Sequence, residues 1–186
     1  NIRIASTEGQ GTVMRLSLPS SMAVKSSLLF ELNAEVYAIP LAFTEYVLSL
    51  YKPDIHKAGG GLVATHLGQN IAVVFLRDIF DNKYNGQSRN ALHHTFDSIH
   101  PEEKLEIVVV NFNNRVVGFV VDKLLQQKEI VEKPLMRPVD KIRFISGFTI
   151  LGSGNVCLVL NVPYLLQFIF SANHQSAKAL KNFTLN

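Results

Sequence analysis

The sequence predicts an all-β protein built as two small barrels, and three observations carry that prediction. Short apolar runs recur along most of the chain, turn signals part them every roughly 8–12 residues, and helical periodicity is scarce. The runs fall into two blocks, about 28–80 and about 105–162, separated by the polar stretch Asp81 to Lys104. Two barrels therefore fit better than one.

The elements follow in order. Ile2 and Ile4, the turn around Glu8-Gly9-Gln10-Gly11, and alternating Val13 to Leu18 predict a hairpin over residues 1–19, and Pro19-Ser20-Ser21 then breaks the pattern. Leu28 to Leu32 and Glu35 to Pro40 bracket Asn33-Ala34 as a second hairpin. Thr44 to Tyr51, Leu62 to Leu67 and Ile71 to Leu76 complete the first block, with a short helix expected at Leu76 to Phe80. The polar stretch 81–104 reads as a surface loop. Strands resume at Glu106 to Val110, Val116 to Val121 and Leu124 to Val131, and Pro134 and Pro138 limit the next segment to loop. Ile142 to Ile150 and Val156 to Leu160 form a hairpin around Gly152-Ser153-Gly154. Asn161 is placed to cap a helix over Tyr164 to Phe170, with Pro163 in its first turn. Residues 173–186 form a polar tail.

Composition narrows the function. The chain has 186 residues, 47% hydrophobic and 18% charged, which describes a globular protein. Its net charge of +3 is spread out, with no basic stripe for nucleic acid. No apolar run approaches the ~20 residues of a membrane span. Cys157, alone between aliphatics, reads as a buried inert thiol, and one unpaired cysteine points to a reducing, cytosolic compartment. The chain opens inside a strand-like pattern without methionine, so a fragment of a longer protein is expected.

No catalytic constellation emerges. Glu102-Glu103 reads as solvated surface, and Asp122 as a turn or capping group. His93, His94 and His100 with Asp97 make a poor metal set, because adjacent histidines diverge in extended chain and no cysteine supports them. Gly9, Gly11 and Thr12 could approach a phosphate, but a strand follows where a dinucleotide fold needs a helix. Binding has a better anchor. Leu28, Leu29 and Phe30 are apolar in succession, whereas a half-exposed strand alternates. Ala38-Ile39-Pro40-Leu41 is also two-sided, and its proline suggests an edge strand. Leu28, Leu29, Ile39 and Leu41 in the first block, and Ile150 and Val156 in the last hairpin, are the candidate partner-binding residues.

Four blocks in fixed order resemble the CheW-like domain of CheA-type chemotaxis kinases and CheW adaptors. They are Glu35 to Leu41, Gly118-Phe119-Val120-Val121-Asp122, Glu129 to Leu135, and Gly147-Phe148-Thr149-Ile150-Leu151-Gly152. Glu8 to Pro19 further resembles the end of the kinase ATP-binding domain, with Gly9, Gly11 and Thr12 as remnants of its nucleotide region. The resemblance implies two SH3-like five-stranded barrels within a regulatory domain at 20–172. It also implies binding to the adaptor CheW and to chemoreceptor cytoplasmic tips, so that receptor state controls autophosphorylation. The full-length kinase would be a homodimer at membrane-bound receptor arrays, with ATP and Mg held outside this fragment. Ser153 replaces a frequent acid, Asn161 a frequent Asp, and Phe148 the middle residue of a common Gly-Ala-Thr block. A free-standing CheW-like adaptor and an ATP-dependent phosphotransfer fragment are the alternatives.

Overall fold

Runs of apolar residues longer than alternation allows demand strands buried on both faces, and the arrangement of sheets supplies the cover. The computed structural model describes residues 2–16, 24–85, 94–137 and 142–171. Strands β1 (Ile2–Thr7) and β2 (Gly11–Leu16) form a separate antiparallel hairpin whose residues are all exposed. Next come β3 (Val24–Leu32), β4 (Glu35–Pro40), β5 (Thr44–Tyr51), β6 (Ile55–Ala58), β7 (Gly61–His66) and β8 (Gln69–Phe75). Helices α1 (Leu76–Asn85) and α2 (His94–Ser98) precede β9 (Lys104–Phe112), β10 (Arg115–Val121), β11 (Lys123–Val131) and β12 (Lys133–Pro134). The chain then runs through β13 (Ile145–Ile150) and β14 (Val156–Leu160) into a helix, α3, over residues 162–171.

Two six-stranded sheets result, ordered β5-β9-β10-β8-β7-β6 and β11-β3-β4-β14-β13-β12. This corrects the expected division into blocks 28–80 and 105–162. β3 and β4 leave the first block to join β11 and β14, while β9 and β10 leave the second to join β5 and β8. The second sheet is thus held together by pairings between strands far apart in the chain, which no local pattern announces. Its β4 is also an interior strand, contrary to the edge position expected from Pro40. The proline is tolerated because it ends the strand: β14 pairs only as far as Ala38.

Three cores follow from strand parity. Leu62, Ile71, Val73, Phe75, Leu105, Ile107 and Val109 fill one side of the first sheet, where Phe96 and Ile99 from the α2 region join them. Leu29, Ala38, Ile130, Cys157 and Val159 fill the inner side of the second. The largest core lies between the sheets and takes the opposite faces of the same strands: Phe30 and Ile39 meet Val108, Val110 and Phe119 there, with Leu165 and Leu166 of α3. Burying these side chains contributes roughly 1.5–3 kcal/mol each, an upper bound for a real unfolded chain.

Local choices agree with this layout. The two-residue turns Asn33-Ala34, Gly59-Gly60, Leu67-Gly68 and Asn113-Asn114 all have positive φ at both positions, the geometry that matches strand twist in tight hairpins. Asn161 caps α3, its Oδ1 accepting from the Tyr164 amide at 3.2 Å. The stretch expected as loop from Asp81 instead begins inside α1, which runs on to Asn85, and it also contains α2. Buried Asp78 links the two helices by accepting from the amide (3.2 Å) and hydroxyl of Thr95.

Candidate partner-docking surface

The hairpin of β13 and β14 carries two of the candidate residues, Ile150 and Val156. Strand alternation sends Thr149, Cys157 and Val159 inward, where all three are buried, and sends Ile150 and Val156 outward. These two are directly opposed across the ladder and are 54% and 55% exposed. Phe148 and Leu158, the next pair on that face, are half-buried, and Leu158 pairs with Tyr37 of β4. An apolar strip therefore runs from the inter-sheet core to the hairpin tip.

The tip is a firm platform. Leu151 N–H donates to Asn155 O at 2.9 Å and Gly154 N–H to Leu151 O at 2.8 Å, with Gly154 at φ 86°. Leu151 itself packs on the inner core beneath the strip. At the other end of β13, a Cβ on Gly147 would lie 2.5 Å from Lys133 O, so glycine is required for β12 to pair there. Ser146 Oγ donates to Glu132 Oε1 at 2.6 Å, and Glu132 also pairs with Lys25 of β3. Ile150 and Val156 thus form an exposed apolar pair on an anchored hairpin.

The remaining candidates fare differently. Leu28 (6% exposed), Leu29 (2%) and Ile39 (0%) lie in cores of their own chain, which removes them from any exposed surface. Their two-sided hydrophobicity is explained by β3 and β4 separating two cores. Leu41 sits in a short 3-10 turn, Leu41–Phe43, half-buried against the inter-sheet core. Gly9 and Gly11 adopt φ of 74° and 105° in an exposed turn, and the Thr12 hydroxyl bonds that of Ser6 at 2.9 Å. Backbone conformation alone accounts for both glycines. His93 lies outside the described residues, and Asp97 is engaged by Lys57 at 2.6 Å. Burial pushes the Cys157 thiol from 9.0 up to about 11, so it stays protonated at neutral pH.

Asp122 does sit at a turn, and its partners come from distant parts of the chain. Asp122 occupies the crossover from β10 to β11, the point where the chain passes between sheets. Its Oδ2 accepts from Asn33 N–H (2.7 Å) in the β3–β4 turn and from Arg77 Nη2 (2.8 Å) in α1, and its own N–H donates to Glu31 O (3.1 Å). One carboxylate thus ties both sheets together at their seam.

Comparison with known proteins places this architecture. The model of the CheW-like domain matches residues 26–170. The chain belongs to the CheW-like domain family. The chemotaxis protein CheA of Bacillus subtilis is 30% identical over 166 residues, covering 89% of this chain and 23% of that protein. The sensor histidine kinase CheAY of Helicobacter pylori is 27% identical, covering 89% and 19%. This CheW-like domain also superposes on the scaffolding protein TtCheW of Thermoanaerobacter tengcongensis with a TM-score of 0.54 and 17% identity, over 75% of this chain and 90% of that one. The chain spans less than a quarter of the length of these curated relatives. Among the described residues no helix is long and apolar enough to cross a membrane.

Proposed function

We propose that this CheW-like domain is the regulatory coupling module of a CheA-type sensor kinase. It would bind a CheW adaptor and the cytoplasmic tips of chemoreceptors, and transmit receptor state to autophosphorylation elsewhere in a longer, homodimeric protein at receptor arrays. The observation that carries this reading is the alignment with CheA, which runs over 166 residues and so extends beyond the family span of 26–170. ATP and Mg would be handled by that longer protein, with Gly9, Gly11 and Thr12 as remnants of its nucleotide domain. The strip ending at Ile150 and Val156 would be one contact surface, since its exposed apolar pair is held on a firm hairpin.

The test is titration of the CheW adaptor from the same genome against the 186-residue chain by calorimetry. Saturable binding is expected, and absence of binding to both adaptor and receptor-tip peptide would overturn the reading. The free-standing adaptor is the second reading, favoured by the 90% coverage of TtCheW. An ATP-binding domain encoded upstream of Asn1 would decide against it. Micromolar ATP binding by this chain alone would instead favour the phosphotransfer fragment.

A further inference from the structure

A cavity of about 600 Å³ opens between the β9–β10 turn and α3. Arg115 stands on its wall with Phe112, Asn113, Asn161, Tyr164 and Gln167. The guanidinium carbon of Arg115 lies 4.9 Å from the ring centre of Phe170, within cation–π range, a contact that restrains the side chain. A second guanidinium, that of Arg143, lies 6.0 Å from the ring of Tyr164, itself a wall residue. Neither arginine forms an ion pair among the described residues.

Among the described residues, Arg115 is the one charged side chain on the cavity wall. Residues 111–115 and 161–171 contain no Asp or Glu. Glu45, on the neighbouring β5, is held by the side-chain amide of Asn111 at 2.6 Å. Amides of Asn113, Asn161 and Gln167 add neutral donors beside the guanidinium. A guanidinium set over an aromatic ring, beside neutral amides and without an ion-pair partner among the described residues, is suited to a carboxylate from outside.

We infer that the cavity between the β9–β10 turn and α3 is a recognition site for an acidic peptide segment of a partner protein, with Arg115 as its anchoring cation and Arg143 as a flanking one. A peptide is favoured over a small acid because the cavity is open and far larger than a single carboxylate needs, and because two separate arginines border it. The site does not rest on the coupling role proposed above.

The experiment titrates the full 186-residue chain with a short polyglutamate peptide, following amide shifts by NMR, with polyglutamine and succinate as parallel probes. Saturable shifts centred on Asn113, Arg115 and Gln167 are expected with polyglutamate alone. Arg115→Gln should weaken binding roughly tenfold or more, while Arg115→Lys should lose less, because the charge remains. Gln167→Glu, at an exposed helix position, should weaken binding by offering Arg115 an internal carboxylate, and it keeps the test valid should Arg115 variants fold poorly. Shifts spread over the lysines, equal binding of succinate, or affinity unchanged in both Arg115→Gln and Gln167→Glu would overturn the inference.

Discussion

Residues 28–30 and the tip formed by Ile150 and Val156 are both apolar where a lone half-exposed strand should be mixed, yet they have opposite fates. β3 lies between β11 and β4, with one core on each face, so Leu29 and Phe30 are both enclosed by their own chain. The tip of β13–β14 lies beyond the reach of the inter-sheet core, and only its inward residues find cover. The difference teaches that two-sided hydrophobicity reports layering. It becomes a sign of a partner only where the strand outruns the layers that would cover it.

The most drastic way to break the comparison is to place a charge at the enclosed site. Leu29→Asp would leave a carboxylate in an apolar core without a partner, and loss of cooperative folding by circular dichroism is expected. Phe30→Ala should cost about 3–5 kcal/mol in denaturant unfolding, through lost burial and the cavity left behind. A folded Leu29→Asp variant of normal stability would show that this face of β3 is open after all.

The seam between the sheets gives a smaller effect. Asp122→Ala removes an acceptor shared by Asn33 and Arg77, and because the groups are partly solvated the expected loss is about 1 kcal/mol. A double-mutant cycle with Arg77→Ala should show coupling between the two positions.

Adjacent residues on β14 sharpen the contrast further. Cys157 points inward and its thiol is raised from 9.0 to about 11 by burial. A group whose folded pKa is raised contributes stability in full below its unfolded pKa and loses it as pH rises through the folded one. Thermal scans should therefore show stability falling between pH 9.0 and 11 more steeply in the wild type than in Cys157→Ala. Val156→Ala, one residue away and facing outward, should change stability by less than about 0.5 kcal/mol at neutral pH. The smallest expected gain is at Ala34, whose φ of 62° costs a residue with a Cβ. Ala34→Gly should stabilise by about 0.5 kcal/mol after the larger unfolded-state entropy of glycine is counted.

Much of the local structure was legible. Both terminal hairpins, the Asn33-Ala34 turn, the Asn161 cap and the buried Cys157 are written in short-range patterns. The sheet partition was not, because β3 finds β11 and β4 finds β14 across about a hundred residues or more, and alternation says nothing of which strand is the partner. The same gap misplaced Leu28, Leu29 and Ile39, whose covering residues come from distant strands. Ile150 and Val156 do stand exposed, because the exposure of a tip is decided locally, by parity and by the turn. Asp122 illustrates the intermediate case: its turn position was readable, but its partners Asn33 and Arg77 come from elsewhere in the chain.

The most direct measurement pairs stability with binding in the double variant Ile150→Asp, Val156→Asp. If the tip is a docking surface and not a covered core, the variant keeps the wild-type unfolding midpoint and binds the CheW adaptor at least about tenfold more weakly. Undiminished adaptor binding by a fully folded variant, or collapse of the fold, would contradict the assignment.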